Sequence, residues 1–175
     1  MARPPHALLL TGPPGVGKTT VLQRAAERLT DLPIRGFTTR EIREKGERVG
    51  FRIETFDGGS DVLAHVKIRS PHRVSKYGVD TEALDRVIDE QFSRERAAVV
   101  LIDEIGKMEC LSRPFVETVE SLLEATSVFV ATVALRGGGF IDAVKRRPGV
   151  VLWSVTRVNR DEMPARVEEW VRGRL

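Results

Sequence analysis

Residues 12–19 read GPPGVGKT, a glycine-rich pattern of the form GxxxxGK[ST] placed directly after the apolar run Ala7 to Leu10. A buried strand, a glycine-rich turn and a helix in that order aim successive backbone N–H groups at one point. The helix N-terminus adds partial positive charge there, so the point suits a polyphosphate. The spacing predicts a phosphate-binding loop made by Gly12, Pro13, Pro14, Gly15, Val16, Gly17, Lys18 and Thr19. In such a loop Lys18 reaches the β- and γ-phosphates, and the Thr19 hydroxyl ligates Mg²⁺. A chance glycine-rich turn would lack the strand–loop–helix context.

A second chemical position follows the apolar run 97–102 (AAVVLI), which ends in Asp103 and Glu104. A continuous apolar run of strand length fits a parallel strand covered on both faces. A carboxylate at the C-terminal tip of such a strand holds the Mg²⁺ shell opposite Thr19, which is the Walker-B role expected of Asp103. Glu104 is then placed to take a proton from water attacking the γ-phosphate. Without the upstream loop the two carboxylates would read as an ordinary solvated strand end.

The elements that must position these groups are legible from periodicity. Helical spacing places Val21, Leu22, Ala25, Ala26 and Leu29 on one face of a helix over 20–29. A strand is expected over 34–40, then a turn at Lys45-Gly46. Alternation of Val49, Phe51, Ile53 and Thr55 signals a hairpin. A turn at 57–59 precedes a strand over 62–68 and a loop over 69–78. Asp80 is expected to cap a helix carrying Leu84, Val87, Ile88 and Phe92, and Ser112 with Pro114 to open another. Strands over 127–133 and 150–155 and helices over 140–147 and 161–172 complete the pattern. Strands alternating with helices predict an α/β fold, a three-layer parallel-sheet architecture in one domain over 1–175. Ligands on such sheets bind at the carboxyl ends of the strands.

Composition narrows the partners. Twenty-eight basic residues face 25 acidic ones, a net charge of +3, and only 6% of residues are aromatic. The basic residues are scattered, so the clusters near Arg43, Arg73 and Arg146 read as solvated faces, which disfavours nucleic acid as a partner. The single cysteine, Cys110, excludes an intrachain disulfide framework and reads as a small, partly exposed residue without a role. His6, His65 and His72 are isolated from one another in sequence, without metal-ligand spacing. No apolar run approaches the roughly 20 residues of a membrane span. The N-terminal run is too short for a signal peptide, so a cytoplasmic location is expected.

Three further positions fall at strand C-termini. Thr132 is a candidate to hydrogen-bond the attacking water or the γ-phosphate, or else a plain β-branched strand residue. Arg136, in the loop LRGGG over 135–139, is a candidate internal arginine finger or an ordinary solvated cation. Asn159, in TRVNRD over 156–161, is a candidate for contact with the nucleobase, with helix capping by Asn159 or Asp161 as the competing role.

Taken together, the chain resembles the thermophilic nucleoside-triphosphatase family, also called the cancer-related nucleoside triphosphatases. The resemblance rests on LLLTGPPGVGKTT (8–20), RGFTTREIREKGERVGFRIETFDG (35–58), RVSKYGVD (73–80), LIDEIGKMECLSRPF (101–115) and VTRVNRDEMP (155–164). It implies a P-loop NTPase fold, RecA-like or kinase-like, with the antiparallel hairpin as an insertion. It also implies a slow hydrolase of ATP, GTP and other nucleoside triphosphates that uses Mg²⁺. By position, Asp103 and Glu104 with Ile105, Gly106 and Lys107 correspond to a second nucleotide-side motif, and Arg43 and Arg48 to basic hairpin positions. The loop over 136–139 departs from the lysine-bearing loop of relatives, and Arg136 is the cation available there. Two other readings stay open: a small phosphate-loop kinase acting on a nucleotide or metabolite, and a nucleotide-gated interaction module.

Overall fold

The computed structural model describes residues 5–93 and 97–175. The first apolar run forms β1 (Ala7–Thr11), buried throughout, and the glycine-rich turn leads into α1 (Lys18–Glu27). A long antiparallel pair follows, β2 (Ile34–Glu44) and β3 (Glu47–Thr55), then β4 (Ser60–His65) and the short β5 (Arg73–Val74) and β6 (Tyr77–Val79). Next come α2 (Thr81–Phe92), β7 (Val99–Ile105), a 3-10 turn over Glu109–Leu111 and α3 (Arg113–Glu124). The chain closes with β8 (Val128–Val133), α4 (Gly139–Lys145), β9 (Val150–Ser154) and α5 (Met163–Arg172).

All these strands join one sheet in the order β5-β6-β4-β3-β2-β7-β8-β1-β9. The five strands from β2 to β9 in that order run parallel, and the wing from β3 to β5 is antiparallel. The architecture is therefore α/β with a mixed sheet. Alternate strand residues face opposite sides, so Leu8 and Leu10 join Val21, Leu22, Val167 and Trp170 in one core. Leu9, Val100 and Ile102 join Leu84, Phe115, Val119 and Ile141 in the other. Helices α1 and α5 cover one face, and α2, α3 and α4 the other.

Local chemistry explains the boundaries. Lys45 and Gly46 both take positive φ, 49° and 83°, as a two-residue turn with the twist of its flanking strands requires. The Asp80 carboxylate accepts from the Ala83 N–H at 3.0 Å and opens α2. The Ser112 hydroxyl accepts from the Phe115 N–H at 3.1 Å and opens α3, with proline in its first turn. Gly36 lets β2 run against the Leu101 carbonyl of β7, where a Cβ would collide with backbone.

Several expectations change. The parallel sheet carries a four-stranded antiparallel wing, because strand pairing extends beyond the hairpin to β4, β6 and β5. The stretch expected as a loop over 69–78 holds β5 and the start of β6. The last helix begins at Met163, because the residues before it form turns with Met163 N–H bonded to the Asn159 carbonyl. Among the described residues no helix is long and apolar enough to cross a membrane.

Candidate active site

The site forms where β1, β7 and β8 end, against the middle of β2. Beyond β1 the chain turns through Gly15 and Gly17, at φ 75° and 112°, conformations that side chains with a Cβ rarely adopt. Gly17 caps α1 with no side-chain bond, so the first N–H groups of the helix face the cleft. Lys18 is 9% exposed. Its ammonium folds over the loop and donates to the carbonyls of Gly12 at 2.8 Å and Pro13 at 3.4 Å.

Asp103 is the most heavily bonded side chain of the site. It is 1% exposed, so its charge must be met by protein donors. Oδ2 accepts from the Thr19 hydroxyl at 2.8 Å, the Thr39 hydroxyl at 3.0 Å and the Thr39 N–H at 3.3 Å. Oδ1 accepts from the Thr132 hydroxyl at 2.5 Å. Strand register explains the convergence. Ile102 pairs with Phe37 on one side and Ala131 on the other, so Thr39 and Thr132 flank the tip of β7.

Glu104 follows across a cis peptide bond. Burial first, and then the neighbouring Asp103 charge, raise its carboxyl above the ordinary carboxylate range; the Lys18 ammonium opposes them. Glu109 lies deeper, 5% exposed, and burial followed by the Glu104 charge pushes its carboxyl well above that range. Burial and the same carboxylates push the Cys110 thiol up to about 12, so this cysteine is half-buried and held as the thiol.

These groups line a cleft of about 1010 Å³. One wall is the glycine-rich turn with Lys18, Thr19 and Gln23; Asp103 and Glu104 line it beside Thr39. Arg40, Glu41, Arg48 and Phe51 of the β2–β3 pair form the opposite wall, and Ala134, Leu135 and Arg136 a third side. Arg48 is held by the Tyr77 hydroxyl at 3.0 Å and by Glu41 at 3.0 Å. Arg136 is exposed and, among the described residues, makes no hydrogen bond or ion pair.

Comparison with known proteins places the chain in a family. A family model described as NTPase matches residues 7–168, from β1 into α5. The chain belongs to the NTPase family. Nucleoside-triphosphatase THEP1 of Thermotoga sp. (strain RQ2) is 39% identical over 158 residues, covering 89% of this chain and 90% of that protein. The cancer-related nucleoside-triphosphatase homolog of Mus musculus is 34% identical over 173 residues, covering 89% and 91%. The crystal structure of THEP1 from Aquifex aeolicus superposes with a TM-score of 0.82 at 32% identity, covering 94% of this chain and 98% of that one. The solution structure of a human cancer-related nucleoside triphosphatase gives 0.82 at 30% identity, covering 96% and 98%.

In this NTPase-family chain the fold gathers Gly12, Pro14, Gly15, Gly17, Lys18, Thr19, Asp103, Glu104 and Arg136 in one cleft. Pro13 is exposed at the turn, and Val16 is 7% exposed in the core beneath it. Other expected residues face elsewhere. The Ile105 side chain is fully buried in the core, and Gly106 lies beneath the cleft between Glu104 and Glu109. Lys107 is exposed outside the cleft lining. The Asn159 amide is used within its own turn, accepting from Thr156 N–H at 2.8 Å and donating to the Ser154 carbonyl at 2.9 Å. Thr132 is fully buried and donates to Asp103, so it positions that carboxylate and does not face the cleft. Thr39 and Glu109 were not read from the sequence as site residues. Thr39 had a signal in its place within β2, two residues beyond Phe37, where the pairing with β7 ends; Glu109 had none in spacing.

Proposed function

We propose that the protein hydrolyses the terminal phosphoanhydride of ATP, GTP and other nucleoside triphosphates, with Mg²⁺, slowly and with little base discrimination. The fold behind this reading is the P-loop NTPase fold, RecA-like or kinase-like, with the β2–β3 pair as its insertion. The observation that carries it is the contact of Thr19 with Asp103, which joins the glycine-rich turn to the acidic strand tip. Names of relatives support the same chemistry, since THEP1 proteins are called nucleoside-triphosphatases.

The donor set suits Mg²⁺. Thr19 Oγ1 and Asp103 Oδ2 are hard oxygen ligands set side by side at 2.8 Å. Among the described residues no cluster of three or more His, Cys, Asp or Glu side chains makes a cage, so substrate phosphates and water would complete the shell. Bound there, the ion neutralises charge developing on the β- and γ-phosphates.

The remaining work falls to the chain. Backbone N–H groups at the start of α1 bind the phosphates, and Lys18 exchanges its carbonyl partners for phosphate oxygens. Glu104 takes the proton of the attacking water; burial raises its proton affinity toward what a general base needs at neutral pH. Arg136, untethered at the cleft rim, closes on the γ-phosphate as transition-state charge develops. Binding led by backbone and phosphate is indifferent to the base, and Asn159 is occupied by its own turn.

One observation favours a second reading. The cleft continues past Glu104 to Arg40, Arg48 and Phe51, room where an acceptor would make the site a kinase. A single experiment separates the two: phosphate release from ATP, GTP, CTP and UTP, with and without Mg²⁺, alone and with a panel of nucleosides and nucleotides. Mg²⁺-dependent release from all four without acceptor supports the hydrolase. Strong stimulation by one acceptor, with a phosphorylated product, overturns it.

A further inference from the structure

One arginine of the cleft is held from several sides and still has donors to give. Strands β2 and β3 keep one register from the pair Phe37–Thr55 to the pair Ile42–Gly50, then shift, so that Arg43 lies opposite Arg48. The extra residue is Val49. An unshifted ladder would set Arg48 opposite Glu44, on the other face of the hairpin. The shift turns Arg48 onto the face of Glu41 and Phe51, which pair across the same two strands. There the guanidinium lies 5.3 Å over the Phe51 ring, and Nε donates to the Tyr77 hydroxyl at 3.0 Å. Nη1 donates to Glu41 at 3.0 Å. The Tyr77 hydroxyl donates back to the Arg48 carbonyl at 3.4 Å, and Tyr77 is itself buried.

A guanidinium carries five N–H donors; these contacts use two and leave three, with no other polar partner for the side chain among the described residues. The Arg48 side chain is 46% exposed and lines the cleft. Ion pairs that exposed add little stability, so stability does not account for the restraint. Positive charge is in surplus as well. Arg43 bonds the second oxygen of Glu41 at 2.6 Å, so one carboxylate is shared by two guanidiniums. Hydrogen bonds from Arg48 first, and then Arg43, hold the Glu41 carboxyl below the ordinary carboxylate range.

Position separates this cation from the groups around Asp103. Thr39, which touches Asp103, and Glu41 are two residues apart on β2, about 7 Å along an extended strand. The guanidinium is anchored at the level of Glu41 and Phe51. Phosphates held by the glycine-rich turn and an Mg²⁺ at Thr19 and Asp103 leave its donors unspent. We propose that Arg48 is the centre of a second phosphate site on the β2–β3 wall, filled by orthophosphate or a nucleoside monophosphate while a triphosphate occupies the glycine-rich turn. A planar fork of N–H donors matches phosphate oxygens in pairs. Orthophosphate arrives as the product of hydrolysis, a monophosphate from solution. The proposal rests on the triphosphate reading for the occupant of the opposite wall.

The test saturates the full chain with Mg²⁺ and a non-hydrolysable ATP analogue, then titrates inorganic phosphate, AMP and adenosine by calorimetry. Wild type, Arg48→Gln and Arg48→Lys are compared. Phosphate or AMP is expected to bind beside the analogue, and adenosine is not. Arg48→Gln should weaken that binding about 10-fold or more, because hydrogen bonds from a charged donor are lost. Its analogue Kd should stay at the wild-type value, which also reports a folded variant. Arg48→Lys keeps the charge without the fork and should weaken phosphate binding by less. AMP tighter than phosphate identifies a monophosphate as the occupant; phosphate as tight or tighter identifies the free product.

Failure of both phosphate and AMP to bind beside the analogue overturns the proposal. So does displacement of the analogue by them, adenosine binding as tightly as AMP, or wild-type phosphate affinity in either variant. An equal loss of analogue and phosphate affinity in Arg48→Gln also overturns it, making Arg48 a contact of the triphosphate itself. An analogue that does not bind the wild-type chain overturns the triphosphate reading, and a second site with it.

Discussion

The Thr19 hydroxyl donates to the Asp103 carboxylate across 2.8 Å, although 84 residues separate them in the chain. With Thr39 and Thr132 bonded to the same carboxylate, the middle of β2, the ends of β7 and β8 and the first turn of α1 meet at one buried charge. The glycine-rich turn is therefore coupled to the sheet through Asp103, and substitutions there read out both stability and chemistry.

Lys18→Ala removes the only ammonium among the described residues that lines the cleft. Losing one partner of a buried charge contact typically costs at least about 2 kcal/mol, so Kd for a non-hydrolysable ATP analogue should weaken about 30-fold or more. Calorimetric titration measures it. An unchanged Kd would take Lys18 out of the phosphate site.

Glu104→Gln keeps shape and removes the carboxylate proposed as the base. Analogue binding should stay near wild type while kcat falls about 10²-fold. Single-turnover phosphate release checks the chemical step directly, and normal turnover would mean that another group accepts the proton.

Thr132→Val replaces a hydroxyl that is fully buried against Asp103 with a methyl of equal size. One oxygen of a buried carboxylate loses its donor, which should cost about 1–3 kcal/mol of stability. Urea unfolding without nucleotide measures this. A stability equal to wild type would show that water replaces the threonine.

Arg136→Ala should leave analogue affinity nearly intact and lower kcat by up to about 10³-fold, the lower range for an arginine acting on transition-state charge. Parallel kcat and Kd measurements decide it. A loss confined to affinity would make Arg136 a binding residue instead.

Burial raises the Glu109 carboxyl well above its ordinary range, and Glu104 is raised too. Between the unfolded value, about 4.3, and the raised folded values, the folded chain holds protons that the unfolded chain has released. The associated stability is complete below the unfolded value and is lost as pH rises through the folded ones. The thermal midpoint without nucleotide should therefore fall from about pH 5 upward, and Glu109→Gln should flatten that fall. A wild-type midpoint flat across this range would contradict the buried, protonated state.

Much of the cleft lining was legible in the sequence where the signal is local. GPPGVGKT carries its glycines, lysine and threonine within a single turn, and the structure places that turn at the end of β1 as expected. Asp103 and Glu104 were marked by the apolar run before them, and Lys45-Gly46 by its turn chemistry. Thr132 shows where local reading stops. A threonine near a strand end faces either water or a neighbouring side chain, and only the register of β8 against β7 selects Asp103 as its partner. Asn159 is similar, since its amide was spoken for by backbone groups that fold around it.

The amino-acid order alone determined the glycine-rich turn, the acidic strand tip, the caps at Asp80 and Ser112 and the alternation of strands with helices. Each depends on neighbours a few residues apart, through backbone conformation and hydrophobic period. Tertiary structure decided which groups surround Asp103, how far the antiparallel wing extends, and that Glu109 lies buried beneath Glu104. Those outcomes depend on strand order, with β7 seated between β2 and β8, and pairing between distant strands leaves no periodic trace in the chain that forms them.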